Sequence, residues 1–429
     1  MSFLVYILYT KVGIIGSGGR EHSICQTLNN SNKISKIFCF PGNAGTAEIS
    51  ENISLDLSNF EIIKDFILDE NIELIIVGPE KPLVDGLVDY LEKFKIKVFG
   101  PNKLASQLEG SKIFTKNLCQ KYNIPTAKFG IFQNKNDAKK FLTETKYPTV
   151  IKADNLASGK GVYICNDQSE ANLAVDEIFN GKFGEAKNLL VEEFLYGEEM
   201  SFFIISDGKT FKNFGTAQDH KRVLEGDKGK NTGGMGAYSP SRLITGELEK
   251  KILEKIIKPT LKGLSELGTN FKGFLYAGLM IDNNEPYLIE YNVRMGDPEC
   301  QTILPKLETD LIDIFIACCE GNLQNIDIQW KNKKSLCVVL CSNGYPDKFQ
   351  KNVEISNIQK INSDINNLLF HAGTIKKNNK IYATGGRVLN FVSISDNFNL
   401  SRENISKNLN KLNWDGGFYR KDIGYKVIK

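Results

Sequence analysis

The sequence predicts an α/β protein in three parts: a parallel-sheet, Rossmann-like domain over 1–111, a larger central domain over 112–334 and a small α+β domain over 335–429. Three observations predict it. Strand-like and helix-like runs alternate at the start of the chain, the rhythm of βαβ units. A glycine turn, GSGGREHS at 16–23, follows the first apolar run Val12-Gly13-Ile14-Ile15. From 335 onward the pattern shortens into brief strands and turns, as in LCVVLCS, HAGTI and GGRVLNFV.

A chain of 429 residues has room for such domains, each with a sizeable core. The formal charge of +3, with 41% hydrophobic and 24% charged residues, describes a soluble globular protein without a bias toward nucleic acid or acidic partners. The nine cysteines form no CxxC pair and no zinc spacing, and Cys318 adjoins Cys319, which suits reduced thiols in the cytoplasm. No apolar run has the length needed to span a membrane. The first ten residues, MSFLVYILYT, lack the basic start and small-residue cleavage site of a signal peptide and read as an extension.

Strands are expected at 11–15, 36–40, 73–77 and 96–99, with helices at 59–70 and 83–94. Three of these strands end in turn chemistry, at Pro41-Gly42-Asn43, Gly78-Pro79-Glu80 and Gly100-Pro101-Asn102. Such turns stand at the carboxyl edge of a parallel sheet, where these folds bind ligands. Apolar residues at near-helical spacing predict one linking helix over 102–122, ended by Pro125. Residues 126–205 mix short strands and helices, including VIKA, LLVEEF and SFFII, and 126–195 has the pattern of a separate, mobile lid. A glycine-dense stretch at 226–236 predicts a mobile or ligand-facing loop, followed by helix at 245–267 and strands at 274–281 and 287–291.

The glycine turn is not a dinucleotide fingerprint. Gly16 and Gly18 fit its first two glycines, but Glu21 stands at the third, and the second strand ends in Phe38-Cys39-Phe40-Pro41 without a carboxylate. Gly159-Lys160 is followed by Gly161, so no P-loop is present either. What remains is a helix N-terminus with exposed amides beside Arg20, an anion site of unspecified owner.

Four segments carry chemistry. In VIKADNLASGKGVYI, Lys152 lies on a strand and Lys160 in a small-residue loop, so the two can hold a polyphosphate. Either lysine alone reads as a solvated surface residue. The stretch Glu192-Glu193-Phe194-Leu195 offers backbone groups and a carboxylate to an adenine ring, with Glu198 and Glu199 placed for ribose hydroxyls; a solvated acidic turn is the competing reading. In YLIEYNVRMGDPE, alternation puts Glu290, Asn292 and Arg294 on one strand face, which gives oxygen ligands for a divalent cation and a guanidinium for phosphoryl charge. Asp219, His220, Lys221 and Arg222 precede the glycine-dense stretch and form either a solvated turn or a substrate contact. The three histidines show no metal spacing and are expected to pack or position.

Taken together, GSGGREH, FPGNAGTA, VGPEKPLVDGL, LEGSKIFTK, GKGV, VEEFLYGEE, AQDHKR, NTGGMGAYSP, GDPE and RKDIGY resemble the ATP-grasp superfamily, and more narrowly the phosphoribosylamine–glycine ligase family, over nearly the whole chain. The resemblance implies a pre-ATP-grasp domain, an ATP-grasp domain with its lid and a C-terminal domain. It implies ATP-dependent ligation of glycine to 5-phosphoribosylamine through a glycyl phosphate, in purine biosynthesis. By motif, Lys112, Lys152 and Lys160 would hold ATP phosphates; Glu192, Glu193 and Leu195 would meet adenine; Glu198 or Glu199 would meet ribose. Glu290 and Asn292 would bind Mg²⁺ or Mn²⁺, and Arg294, Lys160 and Asp297 would serve the transfer. Gly18, Arg20, Asn43, Glu80, Asp219, Lys221 and Arg294 would meet the substrates. The family pattern implies a cytoplasmic monomer acting on small molecules, in passing contact with neighbouring pathway enzymes. Two departures stand out: Asn155 and Ser158 replace smaller residues in the lid loop, and the place of a second metal carboxylate falls near Gly278. A carboxylase or transformylase of the same superfamily and a non-catalytic nucleotide-binding module are the alternatives.

Overall fold

The computed structural model describes residues 10–154, 161–182, 184, 187–361, 363–412 and 414–428. Lys160, Asn155 and Ser158, and all of the N-terminal extension except Thr10, lie outside the described residues.

The alternating first part builds a five-stranded parallel sheet in the order Glu51–Asn52, Ile34–Pro41, Thr10–Gly16, Leu74–Val77, Lys97–Phe99. Its strands are apolar runs because helices cover both faces; Val12, Ile14, Ile15, Ile75 and Ile76 are fully or almost fully buried. Strand order reverses beside Thr10–Gly16, so the glycine turn and the Gly78-Pro79-Glu80 turn meet at the sheet's switch point. Glu21 fills the space between them. A Cβ on Gly78 would lie 2.2 Å from Glu21 Oε1, so that turn can approach only as glycine.

Two helices expected as continuous are broken. The stretch 83–94 divides into Glu80–Asp85 and Leu87–Glu92 because Gly86 adopts φ 99°, a left-handed conformation that ends the first helix. The linking helix over 102–122 divides into Gln107–Gly110 and Lys112–Lys121. Ser111 between them is extended, and its hydroxyl caps the second helix by accepting from Phe114 N–H at 3.1 Å. Apolar spacing runs through both breaks, so periodicity alone did not reveal them.

Residues 129–193 carry a four-stranded antiparallel sheet, Phe129–Phe132, Leu189–Glu193, Thr149–Ala153 and Val162–Cys165 in order across the sheet. Helices Lys135–Leu142 and Gln168–Phe179 cover it, and its core of Leu142, Ile151, Val175 and Leu189 is separate from the others. The remaining long strands form one antiparallel ladder: Glu285–Asn292, Lys272–Asp282, Glu198–Asp207, Phe211–Asp219, Gly236–Ser239, Lys334–Ser342, Arg387–Ser395 and Asn367–His371. This ladder crosses position 335 without a break, through the pairing of Gly236–Ser239 with Lys334–Ser342. The first part of the glycine-dense stretch closes a hairpin, Arg222–Leu224 against Lys228–Asn231, and Thr232 and Gly233 after it face the cavity described below. Among the described residues all nine cysteines are free, and no helix is long and apolar enough to cross a membrane.

The histidines pack and position. His22 is 5% exposed, and its Nδ1 accepts the backbone N–H of His371 at 2.8 Å. Burial, aided by His371, pushes the His22 imidazolium down to about 3. Burial likewise holds His220 and His371 at about 4. Because these folded values lie below the unfolded one, their stability is complete above about pH 6.5 and is lost as pH falls toward 4. At pH 5 the loss from His22 is about 2 kcal/mol. His22→Gln keeps an acceptor but does not titrate; its loss of unfolding free energy between pH 7 and pH 5 should be smaller than the wild type's by that amount. Equal losses in wild type and variant, read from denaturant titrations at the two pH values, would remove His22 from this account.

Candidate active site

A cavity of about 520 Å³ opens where the carboxyl edge of the parallel sheet, the four-stranded sheet and the long antiparallel ladder converge. Charged side chains from all three line it. Each is placed by a local structural reason.

On the parallel-sheet side, Gly18 N–H donates to Glu21 Oε2 at 2.6 Å, and Arg20 Nε donates to Glu21 Oε1 at 2.7 Å. Arg20 also donates to the carbonyl of Met295 at 3.0 Å. Arg20 is 7% exposed, and both of these bonds brace the turn, although it still borders the cavity. The structure does not bring Asn43 to the cavity wall. Its amide donates to the carbonyls of Ser17 and His371, and its oxygen accepts from Gly45 and Thr46 N–H, so its polar atoms serve the backbone. Glu80 borders the cavity, and its Oε2 lies 3.3 Å from Arg294 Nε. Burial would raise the Glu80 carboxyl, but Arg294 and Arg20 hold it below the usual range.

The strand Glu285–Asn292 and the turn after it supply the centre. Tyr291 and Val293 are buried on one face, while Glu290, Asn292 and Arg294 border the cavity on the other. Burial opposes ionisation of Glu290, but Lys221, Lys152 and Lys112 outweigh it and lower the carboxyl. Gly278 stands opposite Glu290 in the ladder, and a Cβ there would lie 3.3 Å from Glu290 Cγ. Asp297 accepts from Gln301 at 2.7 Å and pairs with Arg387 at 3.3 Å. Burial raises Asp297, and Arg387 and Arg20 reverse that, so it stays ionised.

The polyphosphate side is lysine-rich. Lys152 Nζ lies 2.9 Å from Glu192 Oε2, and Lys116 Nζ lies 3.4 Å from the same oxygen. Lys116 also donates to Thr126 Oγ1 at 2.7 Å. Lys112 opens helix Lys112–Lys121; burial lowers its ammonium and Glu290 partly restores it. The residues read as an adenine and ribose edge divide. Glu192 faces the cavity with its carboxylate on two lysines, and its other oxygen, Oε1, is buried without a hydrogen-bond partner among the described residues. Glu193 turns outward and accepts from Lys128 N–H at 2.9 Å, and Leu195 lies past the strand end. Glu198 pairs with Arg242 and Lys426, away from the cavity. Glu199 holds Lys221 at 2.6 Å on the cavity rim.

Asp219 and Lys221 both border the cavity. Burial and the nearby Glu299 push Asp219 well above the usual carboxylate range. The C-terminal part fixes this wall. Gly424 N–H donates to His220 Nε2 at 3.1 Å, and the fully buried Arg420 pairs with Asp227 of the hairpin at 2.8 Å. Sequence reasoning missed Glu21, Glu109, Lys116, Glu299 and Arg387. Glu109 and Lys116 stand in LEGSKIFTK, singled out only as a family signature, and Arg387 in GGRVLNFV, read as a short strand. Among the described residues no group of three or more His, Cys, Asp or Glu side chains could hold a metal by itself.

Comparison with known proteins gives a consistent family. Family models for the N domain, the ATP-grasp (A) domain and the C domain of phosphoribosylglycinamide synthetase match residues 10–109, 110–300 and 335–426. The phosphoribosylamine–glycine ligase of Brucella melitensis is 44% identical over 420 residues, 98% of each chain. That of Caldanaerobacter subterraneus is 43% identical over 415 residues, 96% of this chain and 99% of its own. The crystal structure of the Thermotoga maritima phosphoribosylamine–glycine ligase superposes with a TM-score of 0.85 at 32% identity, covering 97% of this chain and 100% of that one. The biotin carboxylase domain of a Hydrogenobacter thermophilus 2-oxoglutarate carboxylase has a TM-score of 0.72 at 18% identity over 96% of this chain and 92% of that one, a likeness of fold alone.

Glu192 is the test of the lysine-rich wall. Glu192→Ala leaves Lys116 and Lys152 buried without their shared carboxylate, which should cost about 3–5 kcal/mol in urea unfolding. A cost below about 1 kcal/mol would mean that solvent, not Glu192, balances the two ammonium groups.

Proposed function

The chain belongs to the phosphoribosylglycinamide synthetase family, and we propose how its site divides the work. It is an ATP-dependent carboxylate–amine ligase that joins glycine to 5-phosphoribosylamine in purine biosynthesis. The observation that carries the mechanism is the strand end bearing Glu290, Asn292 and Arg294. It faces the lysines on one side and Glu80 with the Gly18 turn on the other.

In this reading ATP lies along the lysine-rich wall. Lys112 and Lys152, joined by Lys160, hold its phosphate oxygens. Adenine meets Glu192 and the backbone of Glu193 and Leu195, and ribose meets Glu199. Glu290 and Asn292 offer one carboxylate and one amide oxygen, hard donors that suit Mg²⁺ or Mn²⁺ shared with phosphates. When bound, such an ion supplies charge neutralisation at the phosphates. Glycine, the Gly18 turn and 5-phosphoribosylamine occupy the opposite side, near Glu80, Asp219 and Lys221.

The glycine carboxylate takes the γ-phosphoryl group and ADP leaves. The amine then attacks the acyl carbon, the carbon–oxygen bond breaks and inorganic phosphate departs. No protein nucleophile is required, because positioning and charge neutralisation carry phosphoryl transfer. Arg294 steadies the transferring phosphoryl or the carboxylate. Asp297, ionised beside it, accepts the proton that the amine gives up. The four-stranded unit within 126–195 closes over ATP and excludes water.

A coupled ADP assay with each substrate omitted in turn tests the reaction. ADP should form only with both glycine and 5-phosphoribosylamine; release driven by bicarbonate or formate would favour another ligase of this fold. Glu290→Ala and Arg294→Ala should each lower turnover by a factor of about 10² or more with the fold intact. Near-normal turnover in either folded variant overturns its assignment. Limited proteolysis should cut 126–195 more slowly with ATP than without it, and identical rates would remove the closing motion.

A further inference from the structure

Two carboxylates grip Arg294. Glu80, from the parallel-sheet domain, stands 3.3 Å from Nε, while Glu109 Oε1 accepts from the terminal Nη2 at 2.6 Å. The other oxygen of Glu109 accepts the backbone N–H of Val293 at 2.8 Å. A single carboxylate therefore holds both the guanidinium and the backbone that carries it. Glu109 is 8% exposed and lies on the short helix Gln107–Gly110, yet both of these bonds go to a strand exit far along the chain. The third guanidinium contact is weaker, from Nη1 to the carbonyl of Met295 at 3.3 Å. Arg294 Nε is buried beside Glu80 and, among the described residues, makes no hydrogen bond of good geometry.

We propose that Glu109 is a positioning residue for the transfer reaction: it clamps one edge of the Arg294 guanidinium, whose Nε faces Glu80, and so fixes the plane in which the guanidinium meets the anion borne by the substrate. The proposal rests on the role assigned to Arg294 above. Its physical basis is the fork geometry of arginine. A guanidinium anchored at one terminal nitrogen keeps its plane, and its remaining donors point in fixed directions. Arginine is a long side chain with much rotamer freedom, which the anchor removes before substrate arrives. Without Glu109, Glu80 is the carboxylate left to pair with Arg294, and that pairing draws the guanidinium toward the parallel-sheet side. The charged groups facing Glu109 are Arg294, Glu80 and Arg20; burial and Glu80 raise its carboxyl to about 7, while Arg294 opposes them. Charge on this clamp is thus costly to bury and is sustained by the guanidinium it holds.

A mutant cycle tests it on the full-length protein with saturating glycine and 5-phosphoribosylamine. Glu109→Gln keeps the shape and an acceptor for Val293 N–H but removes the charge. It should lower kcat by about ten-fold or more while KM for ATP stays within about two-fold. Glu109→Asp, which restores the charge on a shorter stem, should recover part of kcat. In an Arg294→Lys background, where the fork is gone, Glu109→Gln should cost less than about three-fold. Wild-type kcat in Glu109→Gln, or the same ten-fold fall in both backgrounds, overturns the clamp. If Arg294→Ala turns over normally, the assignment of Arg294 itself fails, a result separable from the behaviour of Glu109.

Discussion

Arg294 stands between Glu80 and Glu109, and the arrangement of the cleft follows from that contact. The guanidinium sits where three segments meet: the carboxyl edge of the parallel sheet, the junction helix Gln107–Gly110 and the end of strand Glu285–Asn292. A charge there cannot be left alone, since an isolated buried ion is far more costly than a paired one. Each neighbour is therefore charged in turn. Arg20 balances Glu21 and lies near Glu80; Asp297 balances Arg387. The result is a lattice of alternating signs that fixes the relative position of strands distant in sequence. Its members face a shared cavity, so the same lattice that holds the parts together also sets the potential that a substrate meets.

The C-terminal part belongs to this site although its sequence looks like an appendage. Its strand Lys334–Ser342 continues the central ladder, and Arg387 on the next strand reaches Asp297. Arg420 and Gly424 hold the hairpin and His220 from behind. These contacts place Thr232 and Gly233 on the cavity wall without any catalytic group of their own. Rigid support behind a reacting centre is what preorganised electrostatics requires, because dipoles that must first move do not lower a barrier.

Local chemistry was legible in the sequence, and distant pairing was not. The βαβ rhythm and the polar face of Glu290, Asn292 and Arg294 depend on near neighbours, and the fold carries them. The breaks at Gly86 and Ser111 were hidden because apolar spacing continues across them. Glu109 was invisible for a different reason: its partner lies 185 residues away, and an acid in a short amphipathic stretch looks solvated. Glu192 was read from its strand end as an adenine contact, and its second role, pairing Lys116 and Lys152, was hidden because only the folded sheet brings those lysines together. Asn43 looked like a ligand group in a turn, and the turn itself uses up its hydrogen bonds.

The lysine-rich wall carries the argument one step further. Lys116 and Lys152 share one carboxylate, so this pocket keeps an excess of positive charge even with Glu192 ionised. Lys221 is held apart by Glu199, with Glu290 at 4.0 Å. Each carboxylate fixes a lysine in place without fully cancelling the local field. A polyanion entering this cleft meets cations already oriented, so it need not order long flexible side chains at the moment of binding. The opposite wall is built on the reverse principle. There Glu21, Glu80, Glu109 and Asp297 outnumber the guanidinium groups of Arg20, Arg294 and Arg387 at the cavity. The cleft therefore has a cationic side and a carboxylate-rich side, with Arg294 at the seam. The proposed transfer of a phosphoryl group from the cationic side to the carboxylate of glycine crosses that seam.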